Sequence, residues 1–153
     1  DMFSTDKYDV RLTLQSSGFQ VLPQLHGGHL DIAQLGSGPF ATAVARHLGV
    51  EAVYVVHTKG KGQALLAHPD SNINELADLN GKVVASPFAS TAHYHLLLAK
   101  EILGLTGMKV VTMSPEDIRT AWDKHEVDGI YVWGETHLHA LRTGAKMMIP
   151  SSI

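Results

Sequence analysis

The chain has 153 residues, 44% hydrophobic and 18% charged, a balance that fits one ordinary domain or two small lobes and excludes a disordered polypeptide. Net charge is −3 and the basic residues form no run, which leaves nucleic-acid binding without electrostatic support. No apolar stretch has the length of a membrane span, and the lack of cysteine removes disulfide and thiolate chemistry while leaving the redox compartment open.

Tyr8, Val10, Leu12 and Leu14 alternate with Asp9, Arg11 and Thr13, the period of a strand with one wetter face. Ser16-Ser17-Gly18 opens a helix through Leu25, closed by Gly27-Gly28, and Pro23 inside it predicts a kink or a late start. Asp31–Leu35 is expected as a strand. The turn Gly36-Ser37-Gly38-Pro39 leads into a helix over Phe40–Leu48, ended by Gly49. Glu51–His57 and Gln63–Ala67 follow as strands around the polar turn 58–62, then a short helix near Asn74–Leu79.

Lys82–Ser86 is a buried strand, and the helix that follows runs through Leu96 to Leu103. Met108–Met113 is a strand. Ser114-Pro115-Glu116-Asp117 combines a serine cap, a first-turn proline and early acids, so a helix runs from there to about His125. Asp128–Trp133, Glu135–Arg142 and Ala145–Ile149 complete the series as strand, helix and strand. Regular alternation of strands and helices predicts an α/β fold with mostly parallel sheets, whose ligands bind beyond the carboxyl ends of strands.

The loops after Leu35, Ser86 and Trp133 occupy such places. Ser86-Pro87-Phe88-Ala89-Ser90-Thr91-Ala92-His93-Tyr94 presents Ser90, Thr91 and unpaired backbone N–H groups at a helix start, where partial positive charge favours an anion. Gly36-Ser37-Gly38-Pro39 is of similar design. Taken alone it lacks the full spacing of a dinucleotide or Walker motif and equally describes a tight turn with a helix cap. Ser90, likewise, has the chemistry of a plain N-cap as well as that of an anion donor. Trp133-Gly134-Glu135 offers an aromatic wall and an acid that could pair with an amine, or a core tryptophan and a favourable first-turn acid.

Other chemistries fare less well. His93-x-His95 and His137-x-His139 would not chelate on a helix, where positions two apart point to different sides, and neither these nor His26-x-x-His29 carries a zincin motif or cysteine partners. No metal or cofactor is expected. Ser90 and His93 lack a nucleophile elbow and an orienting acid, so no enzyme activity is expected either.

Together these segments resemble the periplasmic substrate-binding proteins of ABC importers, in the branch that handles taurine and other sulfonates. His29-Leu30-Asp31-Ile32-Ala33-Gln34-Leu35-Gly36-Ser37-Gly38-Pro39 is similar to that family's first ligand loop. Ala64-Leu65 with Asn74–Lys82 matches its strand and Leu-Ala-Asp-Leu-x-Gly-Lys segment. Pro87-Phe88-x-Ser90-Thr91-x-His93-Tyr94 is close to the taurine-type second loop, and Ala121-Trp122 with Val127-Asp128-Gly129-x-Tyr131-Val132-Trp133 to the third.

The resemblance implies a two-lobed type 2 periplasmic binding fold that closes by hinge motion, with a partial first lobe at 1–86 and a second at 87–153. It implies that Gly36, Ser37, Gly38, Ser90 and Thr91 bind a sulfonate while Phe88 and Trp133 flank its aliphatic body. Relatives carry glutamate where this chain has Gln63, so a ligand amine would fall to Glu135, or the ligand is not a zwitterion. The implied partner is the membrane permease of an ABC importer, and the implied location is extracytoplasmic.

The sequence opens at Asp1 with no signal-peptide pattern, which suggests a processed product or part of something longer. The family's opening strand and its closing return to the first lobe have no counterpart here. A truncated fold recruited as a structural subunit, with another chain covering the first lobe, is therefore the alternative expectation.

Overall fold

The computed structural model describes residues 9–56 and 60–151. Two helices come first, α1 (Gly18–His26) and α2 (Ser37–Ala45). There follow β1 (Gln63–Ala67), β2 (Val83–Ser86), α3 (Thr91–Ile102), β3 (Lys109–Thr112), α4 (Pro115–Asp123), β4 (Gly129–Trp133), α5 (Gly134–Arg142) and β5 (Lys146–Pro150). Short 3-10 turns at Pro69–Ser71 and Leu76–Leu79 join β1 to β2.

The strands make a single mixed sheet in the order β3-β2-β4-β1-β5. β2 runs parallel to β3 and β4, whereas β1 is antiparallel to both β4 and β5. Four strands thus point the same way and β1 is inserted against them, consistent with a mostly parallel sheet. The sheet draws strands from both sides of residue 87. β1 and β2, which precede residue 87, pair directly with β4 and β3, which follow it.

Both faces of the sheet are covered, which is why β1 is buried at every position instead of alternating. Ala64, Leu66, Ala85, Ile130 and Val132 face α4 and α5, packing on Ile118, Ala121, Trp122 and Ala140. Leu65, Ala67, Val84 and Tyr131 face the other way, onto Ala92 and Leu96 of α3 and onto Leu105 and Met108. Trp122 is fully buried and its indole donates to Thr143 Oγ1 at 3.0 Å.

Local chemistry sets the helix starts. Ser114 Oγ accepts from Asp117 N–H at 3.1 Å, with Pro115, Glu116 and Asp117 in the first turn as expected from the sequence. Helix α1 starts at Gly18 and continues past Pro23 to His26, so it does not start late. The ring deprives Phe19 of its helical partner, but Pro23's own carbonyl still accepts from Gly27 N–H at 2.9 Å. Helix α2 begins at Ser37, earlier than the expected Phe40, because the turn residues themselves are helical.

The strands expected at 8–14, 31–35 and 51–57 form no ladder among the described residues; Tyr8 and His57 lie outside those residues. The physical reason is that alternation specifies a face while a strand also needs a hydrogen-bonding neighbour, and no described segment supplies one. Their apolar side chains stay in solvent: Leu12 is 87% exposed, Leu14 98% and Val53 80%. Among the described residues no helix is long and apolar enough to cross a membrane.

Candidate functional site

The starts of α2 and α3 meet head to head. Gly38 N–H donates to Thr91 Oγ1 at 3.0 Å, and Ser37 Oγ lies 3.4 Å from the same oxygen. The approach is close enough to demand glycine on the α2 side. A Cβ at Gly36 would stand 2.8 Å from Thr91 Oγ1, and one at Gly38 would stand 2.8 Å from the Thr91 backbone nitrogen and 3.1 Å from the Ser90 carbonyl carbon. Two sets of helix-initial N–H groups and two hydroxyls are thereby gathered in one place, with both helix dipoles directed at it.

A hollow of about 630 Å³ opens beside this junction, lined by Ser37, Gly38, Ala41, Ser90, Thr91, His93 and His95 among others. Among the described residues, no lysine or arginine lines it. Desolvation lowers the His93 pKa below the ordinary imidazole value, which keeps that ring neutral near pH 7. Any negative charge taken here would be met by oriented dipoles and hydroxyls rather than by a formal cation.

Ser90 acts as the cap of α3. Its buried hydroxyl donates to Pro87 O at 2.7 Å and accepts from His93 N–H at 3.0 Å. Ala89 before it sits in the left-handed region at φ 50°, a strained conformation for alanine, and its N–H reaches His93 Nδ1 at 3.2 Å. Phe88 is turned away from the hollow. It stacks edge-on against Phe19 with ring centroids 5.3 Å apart and helps line a second hollow of about 410 Å³, with Ser17, Thr112 and Ser114.

Gln63, Trp133 and Glu135 do not line the hollow beside Ser37 and Thr91. Gln63 and Trp133 are opposite one another in the β1–β4 ladder. Trp133 packs at the edge of the core face beneath α3. Glu135, in the first turn of α5, is exposed and pairs with Arg142 at 2.9 Å, so an amine would compete with a guanidinium for it.

A polar chain missed from the sequence links Gln63 to the hollow. Gln63 Nε2 donates to Ser151 Oγ at 3.0 Å, Ser151 Oγ lies 3.1 Å from the Tyr131 hydroxyl, and that hydroxyl lies 3.5 Å from His95 Nδ1. Burial raises the Tyr131 pKa, and the Ser151 contact offsets part of that rise. The alternation of β4 places Tyr131 on the face of Trp133, a signal that could have directed attention to it.

Comparison with known proteins follows the same lines. The sequence profile of the family described as ABC transporter, phosphonate, periplasmic substrate-binding protein matches residues 5–116. The taurine-binding periplasmic protein of Escherichia coli (strain K12) is 33% identical over 137 residues, covering 88% of this chain and 42% of that protein. Among solved structures, the periplasmic aliphatic sulphonate binding protein SsuA of Escherichia coli superposes with a TM-score of 0.72 at 30% identity. The alkanesulfonate-binding protein SsuA of Xanthomonas axonopodis pv. citri, bound to MOPS, gives 0.78 at 27%. Each superposition covers 89% of this chain and 48% of the other, so the chain spans about half the length of the relatives it matches. These relatives are named for binding, not for catalysis, and they share the type 2 periplasmic binding fold seen here. With the profile matching most of its length, the chain belongs to the periplasmic substrate-binding proteins of ABC transporters.

Proposed function

We propose that this chain supplies the anion-gripping part of a solute-binding protein that delivers taurine or a related small sulfonate to an ABC permease outside the cytoplasm. The observation that carries the reading is the convergence of the α2 and α3 N-termini at Ser37, Gly38 and Thr91 beside a hollow. A sulfonate is an acceptor-only monoanion, and this lining offers donors without lysine or arginine. Phosphonates and other dianions would call for more positive charge than two helix ends provide.

In this reading Gly36 and Gly38 permit the close approach, and Thr91 with the first N–H groups of α3 donates to the sulfonate oxygens. The Gly38 N–H and the Thr91 hydroxyl, which bond each other, are the groups the sulfonate takes over. Ser90 holds the α3 end in shape through its cap. Gln63 acts through Ser151, Tyr131 and His95. Phe88 and Trp133 flank the aliphatic body only after a closing motion brings them over the hollow, and Glu135 meets a ligand amine only by releasing Arg142. We place the junction between lobes in the stretch before Gln63, since every strand from β1 onward shares one sheet.

The test is calorimetric titration of the full-length protein carrying this sequence with taurine, an alkanesulfonate, an alkylphosphonate, sulfate and acetate. Sulfonates are expected to bind, and Ser90→Ala with Thr91→Ala to weaken them by about 1–3 kcal/mol. The single change Thr91→Val, which spares the cap, separates lost donation from lost helix start. Heat from none of the five anions removes the reading.

A further inference from the structure

Away from the α2–α3 junction, the turn after β1 and the end of α4 bring three metal-ligating side chains together. His68, Asp70 and His125 each offer a ligand atom, and these atoms all lie within 4.8 Å of one another. Asp70 Oδ2 is 3.4 Å from His125 Nδ1 and 3.9 Å from His68 Nδ1. Ligand atoms on a tetrahedral zinc with bonds of about 2.0–2.1 Å stand about 3.3–3.4 Å apart, so a small rotamer adjustment closes the set. We propose that His68, Asp70 and His125 form a binding site for a divalent transition-metal cation of the zinc type, with water completing the coordination.

The arrangement answers to a cation better than to an ion pair. His68 Nδ1 accepts a hydrogen bond from Asp70 N–H at 3.2 Å, which makes Nδ1 the lone-pair nitrogen of that ring. A lone pair of His68 and a carboxylate oxygen of Asp70 therefore face one another, with a second imidazole nitrogen beside them. A positive ion bound at Nδ1 takes that lone pair in place of the Asp70 N–H and removes the repulsion between it and the carboxylate.

The positions are also fixed in advance. The His68 ring lies between Trp122, centroids 4.5 Å apart, and His125, 4.3 Å apart, and the His68 backbone N–H donates to Asp128 O at 2.8 Å. His125 follows the C-terminus of α4 in the left-handed region at φ 58°. That helix end carries partial negative charge, which favours a cation beside it. Asp70 and His125 are exposed, so an ion and its waters have direct access.

The experiment is competition of the full-length protein carrying this sequence against a chromophoric chelator for Zn²⁺, with Co²⁺ absorption as a reporter of tetrahedral geometry. One tightly held Zn²⁺ per chain is expected, with a visible Co²⁺ band. Because the sequence holds ten histidines, site assignment rests on variants. Asp70→Asn and His125→Ala should each weaken the site about tenfold or more and abolish the band, while His47→Ala leaves both unchanged. Asp70→Asn keeps size and shape, so far-UV circular dichroism separates ligand loss from misfolding. Zn²⁺ affinity equal in wild type, Asp70→Asn and His125→Ala, or no retention against the chelator, overturns the proposal.

Discussion

Replacing Gly38 by alanine tests the head-to-head junction directly. The added Cβ would stand 2.8 Å from Thr91 N, 3.0 Å from Thr91 Cα and 3.1 Å from Ser90 C. All three are backbone atoms, so no side chain can swing aside; the starts of α2 and α3 must separate. Overpacking of this kind costs about 1–3 kcal/mol, and the Gly38 N–H to Thr91 bond, worth about 0.5–1.5 kcal/mol, is stretched as well. Alanine recovers up to about 1 kcal/mol of helix propensity in the first turn of α2. With that gain in full, a net loss of about 0.5–3.5 kcal/mol remains, or about 1–14 °C in melting temperature for a chain of this size. Thermal unfolding with parallel hydrogen exchange at α2 and α3 is the measurement. Thr91→Val is the control, since it removes the hydrogen bond without adding bulk. If Gly38→Ala costs no more than Thr91→Val, the steric argument is wrong and the two helices do not meet as described.

Trp122→Ala should destabilise by about 3–5 kcal/mol in chemical denaturation, because the indole is fully buried against α4, α5 and the sheet and its N–H loses Thr143. A loss under about 1 kcal/mol would mean that this core face is not packed as found. Acidification should also weaken the fold. His93 and His137 have pKa values lowered by burial, so the unfolded chain binds protons more readily than the folded one. Their contribution is complete above the ordinary imidazole pKa of about 6.5 and is lost as pH falls through the lowered values. Melting temperatures recorded from pH 8 to about pH 5 should decline below neutrality, and a flat or rising profile contradicts the burial of these rings.

What could be read from residues alone was whatever is decided locally. Ser114-Pro115-Glu116-Asp117 announced α4, and the apolar runs at Gln63–Ala67 and Val83–Ser86 announced buried strands. Gly36-Ser37-Gly38-Pro39 and Ser90-Thr91 were legible as the approaches to two helices, though their mutual contact was not, since glycine at position 38 has meaning only once Thr91 is opposite it. The segments around Leu12, Ile32 and Val53 were legible as strand-like, but pairing is a property of two segments and alternation describes one. The Gln63, Ser151, Tyr131 and His95 chain and the His68, Asp70 and His125 cluster join residues far apart in sequence. No spacing rule connects them.

The inverted direction of β1 has a consequence for biogenesis. Its neighbours, β4 and β5, follow β2 and β3 in the chain, so the first of these five strands to be synthesised is paired late. Until residues 129–150 have left the ribosome, β1 has hydrogen-bonding partners on neither edge. Such high contact order slows folding and leaves a sticky apolar ribbon, Gln63–Ala67, in the nascent polypeptide. A holdase that shields this ribbon until β4 and β5 emerge would spare the chain from aggregation.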